Sequence, residues 1–464
     1  MRFNRRVNSR CFHRPPAEPY WRPHIWQLSR RALLRGLGCW VGVPAFCASV
    51  LGCGGGGGSP AGGSGAGGAS AGGSSLTEQQ LLDELEAAAF LYFWEQAHPG
   101  TGQVKDRALA AGNDSRTLSS IAATGFGLSA LCIGDSRGFL PSAQILARVQ
   151  ATLQFVLDQL QQVQGFFYHF VDFATGQRAG SSEVSSIDTA ILVCGILTCR
   201  AHFNDPLVRS LATQIYERID WAWMLNGGST LAMAWTPENG FGLSRWDHYS
   251  ELMMLYLLAM ASPSYPIPPS SWNAWSRPVM SYQGLTYISG VDPLFVHQYS
   301  HAWFDFRGKR DAYADYFQNS ITAVEAHRLF CLSLSGQFDD YSTSLWGITE
   351  SDSENGYVAW GGPPAIGPID GTIVPCASAG SLPFLYSDAI GVLQSIRSGY
   401  PEAWQRYGFI DAFNPLTGWY DTDVVGIDAG ITLLMAENQR TGFLWQTFMQ
   451  NPEATTALEL AGFQ

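Results

Sequence analysis

The stretch Trp246-Asp-His-Tyr-Ser-Glu251-Leu-Met-Met-Leu-Tyr-Leu-Leu-Ala-Met-Ala261 decides how the rest of the chain is read. From Leu252 onward it is apolar on every side, so a helix built from it has no face to offer to water and must be covered all round. Such a helix implies an outer layer around it. Glu251 stands at its entrance, and burying a charge costs enough that an acid here predicts a cavity at the helix mouth. The pattern of small or polar residues, one acid and an aliphatic run recurs at Ser185-Ser-Ile-Asp188-Thr-Ala-Ile-Leu-Val193 and at Val425-Gly-Ile-Asp428-Ala-Gly-Ile-Thr-Leu-Leu-Met435. Three acids in one setting predict one shared cavity.

Working outward, helical patterns fall near residues 77–97, 117–132, 142–162, 187–203, 206–225, 248–261, 310–333, 386–397, 428–438 and 440–449. Thr77 and the acids after it mark the first helix start. Strand-like runs are few: Phe166–Val171 with Gly176–Arg178 as a hairpin, and Thr372–Val374. Alternation of amphipathic and wholly apolar helices predicts an all-α toroid. Its apolar helices form an inner ring and its amphipathic ones an outer ring, with loops walling a cleft at one end. A helical solenoid is the rival, but no fixed short repeat is present. The folded domain is expected over residues 76–464.

The chain of 464 residues is 46% hydrophobic and only 14% charged, ample for a large core. Residues 1–52 hold nine Arg and one acid, a balance of +8, so of the net −12 the remainder carries −20. So acidic a body makes nucleic acid an unfavourable partner and suits a neutral or cationic one. Ser29-Arg30-Arg31-Ala-Leu-Leu-Arg35 and the apolar segment ending Val50-Leu51-Gly52-Cys53 resemble a twin-arginine export signal with a lipobox, with a single membrane helix as the alternative. That resemblance implies lipidation at Cys53, attachment to a membrane, and a periplasmic or cell-surface location. Residues 53–75 are Gly- and Ser-rich and read as a flexible tether. The five Cys beyond Cys53 lie in apolar helical contexts and read as buried thiols. No phosphate-cradling glycine loop or metal-type Cys/His pairing occurs, so no cofactor and no metal are expected.

Loops dense in Trp, Tyr, His and acids include Trp235–Glu238, Arg245–Tyr249, His297–Arg307, Trp346–Asp352, Trp360 and Trp419–Asp421. Flat apolar faces beside hydrogen-bonding groups are what a sugar ring needs, so a neutral oligo- or polysaccharide is the expected partner. Glycosidic cleavage needs one carboxylic acid to protonate the leaving oxygen and one carboxylate to activate water or attack the anomeric carbon. Asp188, Glu251 and Asp428 are the candidates. Each taken singly also reads as a helix cap or a hydrogen-bonded core acid. A helix N-terminus favours the ionised form, so for Glu251 to hold a proton, burial beside Tyr249 and Trp246 must outweigh the dipole.

These residues, together with Ser271-Trp-Asn-Ala-Trp275, His297-Gln-Tyr299-Ser-His301-Ala-Trp-Phe-Asp305-Phe-Arg307-Gly, Trp346-Gly-Ile-Thr-Glu350-Ser-Asp352, Gly367-Pro-Ile-Asp370-Gly-Thr and Phe413-Asn-Pro-Leu-Thr-Gly-Trp419, resemble the glucoamylase-like domain of bacterial endo-β-1,2-glucanases. The resemblance runs from about residue 80 to the C-terminus and implies an (α/α)6 toroid and an inverting glycoside hydrolase. It implies Glu251 as general acid, Asp428 as general base and Asp188 as a substrate-binding acid. Further substrate contacts are expected from Trp246, Tyr249, His297, Tyr299, His301, Asp305, Arg307, Trp346, Glu350, Trp360, Asp370 and Trp419, in a protein expected to be a monomer.

Two rivals remain at this level. A polysaccharide lyase would use the Tyr and His of His297–His301 to abstract a proton, although its uronate substrate asks for a basic cleft and these loops are acidic. A non-catalytic glycan-binding lipoprotein would share export signal, tether and aromatic cleft. Asp339-Asp340 resembles half of a terpenoid magnesium site, but without a second acidic motif it reads as loop surface.

Overall fold

The computed structural model describes residues 76–291 and 293–464. The segments expected to be an export signal and a tether, with Cys53, therefore lie outside the described residues. The helices are α1 (Glu78–Glu95), α2 (Ile121–Arg137), α3 (Ser142–Asp158), α4 (Ser186–His202), α5 (Pro206–Glu217), α6 (Trp221–Leu225), α7 (Met253–Met260), α8 (Tyr316–Ser333), α9 (Pro375–Ala379), α10 (Tyr386–Gly399), α11 (Gly426–Thr441), α12 (Phe443–Phe448) and α13 (Pro452–Leu460). Thr77 opens α1 through a reciprocal side-chain cap with Gln80.

Composition sorts these helices into two layers. Every residue of α7 and α9 is buried, as are residues 121–134 of α2, 186–199 of α4 and 426–438 of α11. By contrast α3 buries one stripe, Ile145, Val149, Thr152, Leu153, Phe155 and Val156, and leaves its other face to water. The buried helices touch in sequence: α11 packs on α2, α2 on α4, α4 on α7, and α9 on α11. Between α7 and α9 the circuit runs through two 3-10 turns, Leu294–His297 and Tyr299–Ala302. Ser300 Oγ accepts from Met254 N–H of α7 at 3.0 Å, and Gln298 Nε2 donates to Ala377 O of α9 at 2.9 Å. Outside this circuit α1 lies on α2 and α11, α5 on α4, and α13 on α7.

A close contact between α2 and α4 is made by two glycines. A methyl group on Gly195 of α4 would stand 2.1 Å from Gly125 O, and one on Gly125 of α2 would stand 2.5 Å from Ile191 O. Only hydrogen side chains admit backbones this close. Across the same pair of helices Cys132 and Cys199 bring their sulfurs to 3.6 Å as free thiols, and Cys194, Cys331 and Cys376 are likewise buried and free.

Several sequence expectations are corrected. The helix expected from residue 248 begins at Met253, because Tyr249 N–H donates to Ser276 O and His248 bridges to Ser276. The segment 206–225 breaks into α5 and α6, while α9 and α13 carry no strong period and were not anticipated. Phe166–Phe167 pairs with Gln162–Val163, and Phe170–Asp172 pairs with Leu118–Ser120, so the expected hairpin reduces to one bridge between Val171 and Arg178. Thr372–Val374 contributes only a bridge from Ile373 to Phe413. No helix among the described residues is long and apolar enough to cross a membrane.

Short strands lead directly into buried helices: Leu118–Ser120 into α2, Val184–Ser185 into α4 and Asp423–Val425 into α11. Each strand fixes the chain direction just before a helix start. Two acids of the recurring pattern, Asp188 and Asp428, sit in the first turns of α4 and α11, while Glu251 precedes α7 without a strand before it.

Candidate active site

Glu251 and Asp428 line one pocket of about 360 Å³, together with Glu350. Its aromatic faces come from Tyr299, Tyr357 and Phe295, and its apolar floor from Ile187, Ile191 and Ile427. Glu251 lies two residues ahead of α7 and is 5% exposed; its carbonyl accepts from Ser300 Oγ at 2.7 Å, which ties the acid's backbone to the neighbouring 3-10 turn. Asp428 lies in the first turn of α11 and also lines a second pocket of about 300 Å³ with Cys376, Asp411 and Tyr407. It therefore forms the partition between the cleft and the space behind it.

Of the three expected acids, Asp188 takes a different place. It is 1% exposed, its carboxylate accepts from Ser185 Oγ at 2.5 Å, and His169 Nε2 stands 3.6 Å away. Its helix neighbours Ile187 and Ile191 face the pocket instead. Trp246, Trp346 and Trp360 are buried in the walls, being 3%, 0% and 1% exposed, and do not line this pocket. The Trp246 indole N–H donates to Ser186 Oγ at 2.8 Å and that of Trp360 to Ser351 Oγ at 2.9 Å. The flat faces available in the pocket are those of Phe295, Tyr299 and Tyr357, and of these Phe295 and Tyr357 were not singled out by sequence.

His297 and His301 belong to a neutral wall. His297 Nδ1 meets the Tyr249 hydroxyl at 3.1 Å, and His301 Nε2 meets Ser320 Oγ at 3.0 Å. Burial, followed by the neighbouring His327, pulls His297 down to about 3. Burial and then His297 pull His301 down to about 3 as well. Burial pushes the Tyr249 phenol up to about 12. These groups stay uncharged and enclosed at neutral pH, a poor arrangement for abstracting a proton in a lyase reaction. The remaining expected residues lie elsewhere. Asp305 and Arg307 pair with each other at 2.8 Å, with Arg307 stacked 4.0 Å over Trp445; Asp370 caps Thr372 at 2.9 Å; Trp419 is half-buried in a short strand.

Behind the cleft lies charged ground to which the sequence assigns no role. Asp352, Asp411 and Asp421 bring carboxylate oxygens within 4.8 Å of one another, the spacing of a cation site. A positive charge is already there: the Arg107 guanidinium pairs closely with Asp352, lies 3.4 Å from Asp106 and reaches Asp423 at 4.0 Å. Burial opposes the charge on Arg107, but Asp352, Asp106 and Asp411 outweigh it and hold the group firmly cationic. Burial and then Asp352 push the Asp421 carboxyl up to about 7. A signal existed in Phe409-Ile-Asp411-Ala-Phe413, where a single acid interrupts an apolar run.

Residues 244–452 match the Glycoamylase family, a glucoamylase-type family. The chain is 26% identical over 424 residues to the exo β-1,2-glucooligosaccharide sophorohydrolase (non-reducing end) of Parabacteroides distasonis, covering 83% of this chain and 58% of that protein, so it spans little more than half of that relative's length. In fold it is similar to the endo-β-1,2-glucanase from Chitinophaga pinensis, solved with sophorotriose and glucose. That likeness has a TM-score of 0.77 and 26% identity, and covers 84% of this chain and 99% of that one. It is also similar to the β-1,2-glucanase from Parabacteroides distasonis, with a TM-score of 0.78, 24% identity, and 83% of this chain and 60% of that one covered. The resemblance carried by the sequence motifs thus extends to whole-domain fold. The chain is helix-rich and shares the fold of glucoamylase-like enzymes.

Proposed function

We propose that this chain is a glycoside hydrolase that cleaves β-1,2-glucan internally and with inversion, Glu251 protonating the leaving oxygen and Asp428 serving as the base. The observation that carries this reading is the placement of both acids on one aromatic-walled pocket, with Glu350 beside them. Two carboxyl groups across one cavity are the minimum equipment of glycoside hydrolysis, and tyrosine faces suit the C–H face of a glucose ring. The likeness to named β-1,2-glucan hydrolases in sequence and fold supports the substrate class. Coverage of 99% of the endo-acting Chitinophaga enzyme supports internal cleavage.

On this reading the circuit of buried helices is the inner ring of an (α/α)6 double ring, with the 3-10 segment 294–302 in the place of one inner helix. The protein is exported as a monomer, lipidated at Cys53 and held at a membrane by the 53–75 tether, facing periplasm or exterior. The basic, apolar leader and the glycine-rich composition support that location. Glycans outside the cytoplasm would reach such a tethered domain.

A panel of β-glucans differing only in linkage tests the reading. Release of reducing ends from linear β-1,2-glucan alone, with the α-anomer of the new end seen first by proton NMR, is the expected result. Binding of β-1,2-glucan without any release would instead establish a glycan-binding protein, and release of β-anomer would establish retention.

A further inference from the structure

Behind Asp428, on the side away from Glu251, lies an acid to which the reaction above gives no task. Asp411 is 3% exposed, and its backbone is fixed by donation from its N–H to Asp423 O at 3.0 Å. Its Oδ2 accepts from Asp352 N–H at 2.7 Å. Its Oδ1 is buried and meets no donor among the described residues. Yet the Asp411 and Asp428 side chains line the same pocket, and the charge of each bears on the other, so a hydrogen bond between them is open to the unpartnered oxygen only if one of the two carries a proton. Ionised carboxylates only accept hydrogen bonds, so a bond between two of them requires a proton on one.

The surroundings decide which. Asp411 is enclosed and faces Asp428, Asp352 and Asp421, with Arg107 already committed to Asp352 and Asp106. Burial first, and these acids second, push its carboxyl well above the usual carboxylate range. Asp428 stands in the first turn of α11, where the free N–H groups and the helix dipole favour the charged form. Cys376 lines the same pocket, and burial and then Asp428 hold its thiol protonated. Glu251 and Glu350 face Asp428 from the cleft side.

Resting on the hydrolase reading, we propose that Asp411 is a positioning residue that carries a proton and donates it in a hydrogen bond to the Asp428 carboxylate, keeping Asp428 ionised and aimed into the cleft as the base. No atom of Asp411 touches the sugar. The prediction is a bias on Asp428: remove the donor and the base protonates at a higher pH.

Three variants test this, read as pH profiles of kcat/KM on linear β-1,2-glucan. Asp411→Asn keeps an N–H donor towards Asp428 and an acceptor for Asp352, and is expected to lose about fivefold with the acid limb in place. Asp411→Leu removes the donor, and is expected to move the acid limb up by about one pH unit and to lower kcat rather than raise KM, with a loss of about fiftyfold at neutral pH. Asp428→Asn is expected to lose about a thousandfold. Asp411→Asn as inactive as Asp428→Asn would show that Asp411 acts as a carboxylate, and an unmoved acid limb in Asp411→Leu would show that it biases nothing; either result overturns the proposal. Infrared spectroscopy supplies a readout that needs no substrate and survives misfolding of the Leu variant. At about pH 8, above the range to which Glu86 and Asp421 are raised, the wild type is expected to show a protonated-carboxyl C=O band that Asp411→Asn lacks. An unchanged band overturns the proposal even if the glucan is cleaved. Failure to cleave any glucan, with the band lost as expected, would sink the hydrolase reading and leave the proton on Asp411 standing.

Discussion

Two buried polar regions flank the cleft, and they solve burial in opposite ways. On one side Asp352, Asp411, Asp421, Asp423 and Asp428 gather near the Arg107 and Arg116 guanidinium groups, so charge is retained on the arginines and on part of the acids, while Asp411 and Asp421 are pushed toward their protonated forms. On the other side Tyr249, His297, His301 and Ser320 form a wall from which charge has been expelled. Both regions are rich in the residue types that catalyse reactions. The difference teaches that chemistry follows the region where charge survives burial, and that a histidine pulled down to about 3 is a structural donor or acceptor rather than a base.

The largest break in this contrast comes from Arg107→Leu. It leaves Asp352 and Asp106 buried without their cation, and is expected to cost about 3–5 kcal/mol in urea unfolding. A loss under about 1 kcal/mol would mean that the carboxyls simply take up protons. Next comes the neutral wall. His297 has a folded pKa of about 3 against an ordinary value of 6.5, so between these values the unfolded chain binds a proton that the folded chain refuses. Its contribution is whole above 6.5 and is lost as pH falls toward 3, by up to about 1.4 kcal/mol per unit. Melting temperatures measured from about pH 6.5 down to about 4 should therefore fall less steeply in His297→Asn than in the wild type, and equal slopes would place a charge in the wall. Tyr249→Phe removes one hydrogen bond from the same wall, and should cost about 1 kcal/mol with kcat within a few-fold of wild type. The smallest effect belongs to Arg307→Ala, which deletes an exposed ion pair. A shift below about 1 kcal/mol and unchanged activity are expected, and a large fall in kcat would return Arg307 to the site.

How far the sequence could be read follows the same division. Glu251 and Asp428 were legible because each is a lone acid at the entrance of an apolar helix, a local pattern that tertiary structure has to respect. Asp188 shares the pattern, yet a serine at its helix cap and His169 hold it inside the fold, which only three-dimensional packing reveals. Trp346 and Trp360 stand in polar, glycine-bearing loops that look like surface, but those loops fold inward and bury the indoles. Tyr357 and Asp411 stand outside the repeated pattern of an acid at a helix entrance, so no spacing rule points to them, and for Asp411 the only signal is the lone acid in an apolar run. The double layer of helices was legible in the contrast between α7 and α3, while the 3-10 turns at 294–302 were not, since that stretch holds its place through contacts with Met254 and Ala377 rather than through its own period.

The central claim is that Glu251 is the proton donor of a glucan hydrolase. Reducing-sugar release from linear β-1,2-glucan by the wild type and by Glu251→Gln tests it most directly. Steady release by the wild type is expected, with a loss of about a thousandfold or more in kcat for Glu251→Gln and the variant still retarded on an affinity gel containing the glucan. Full activity in Glu251→Gln would contradict it.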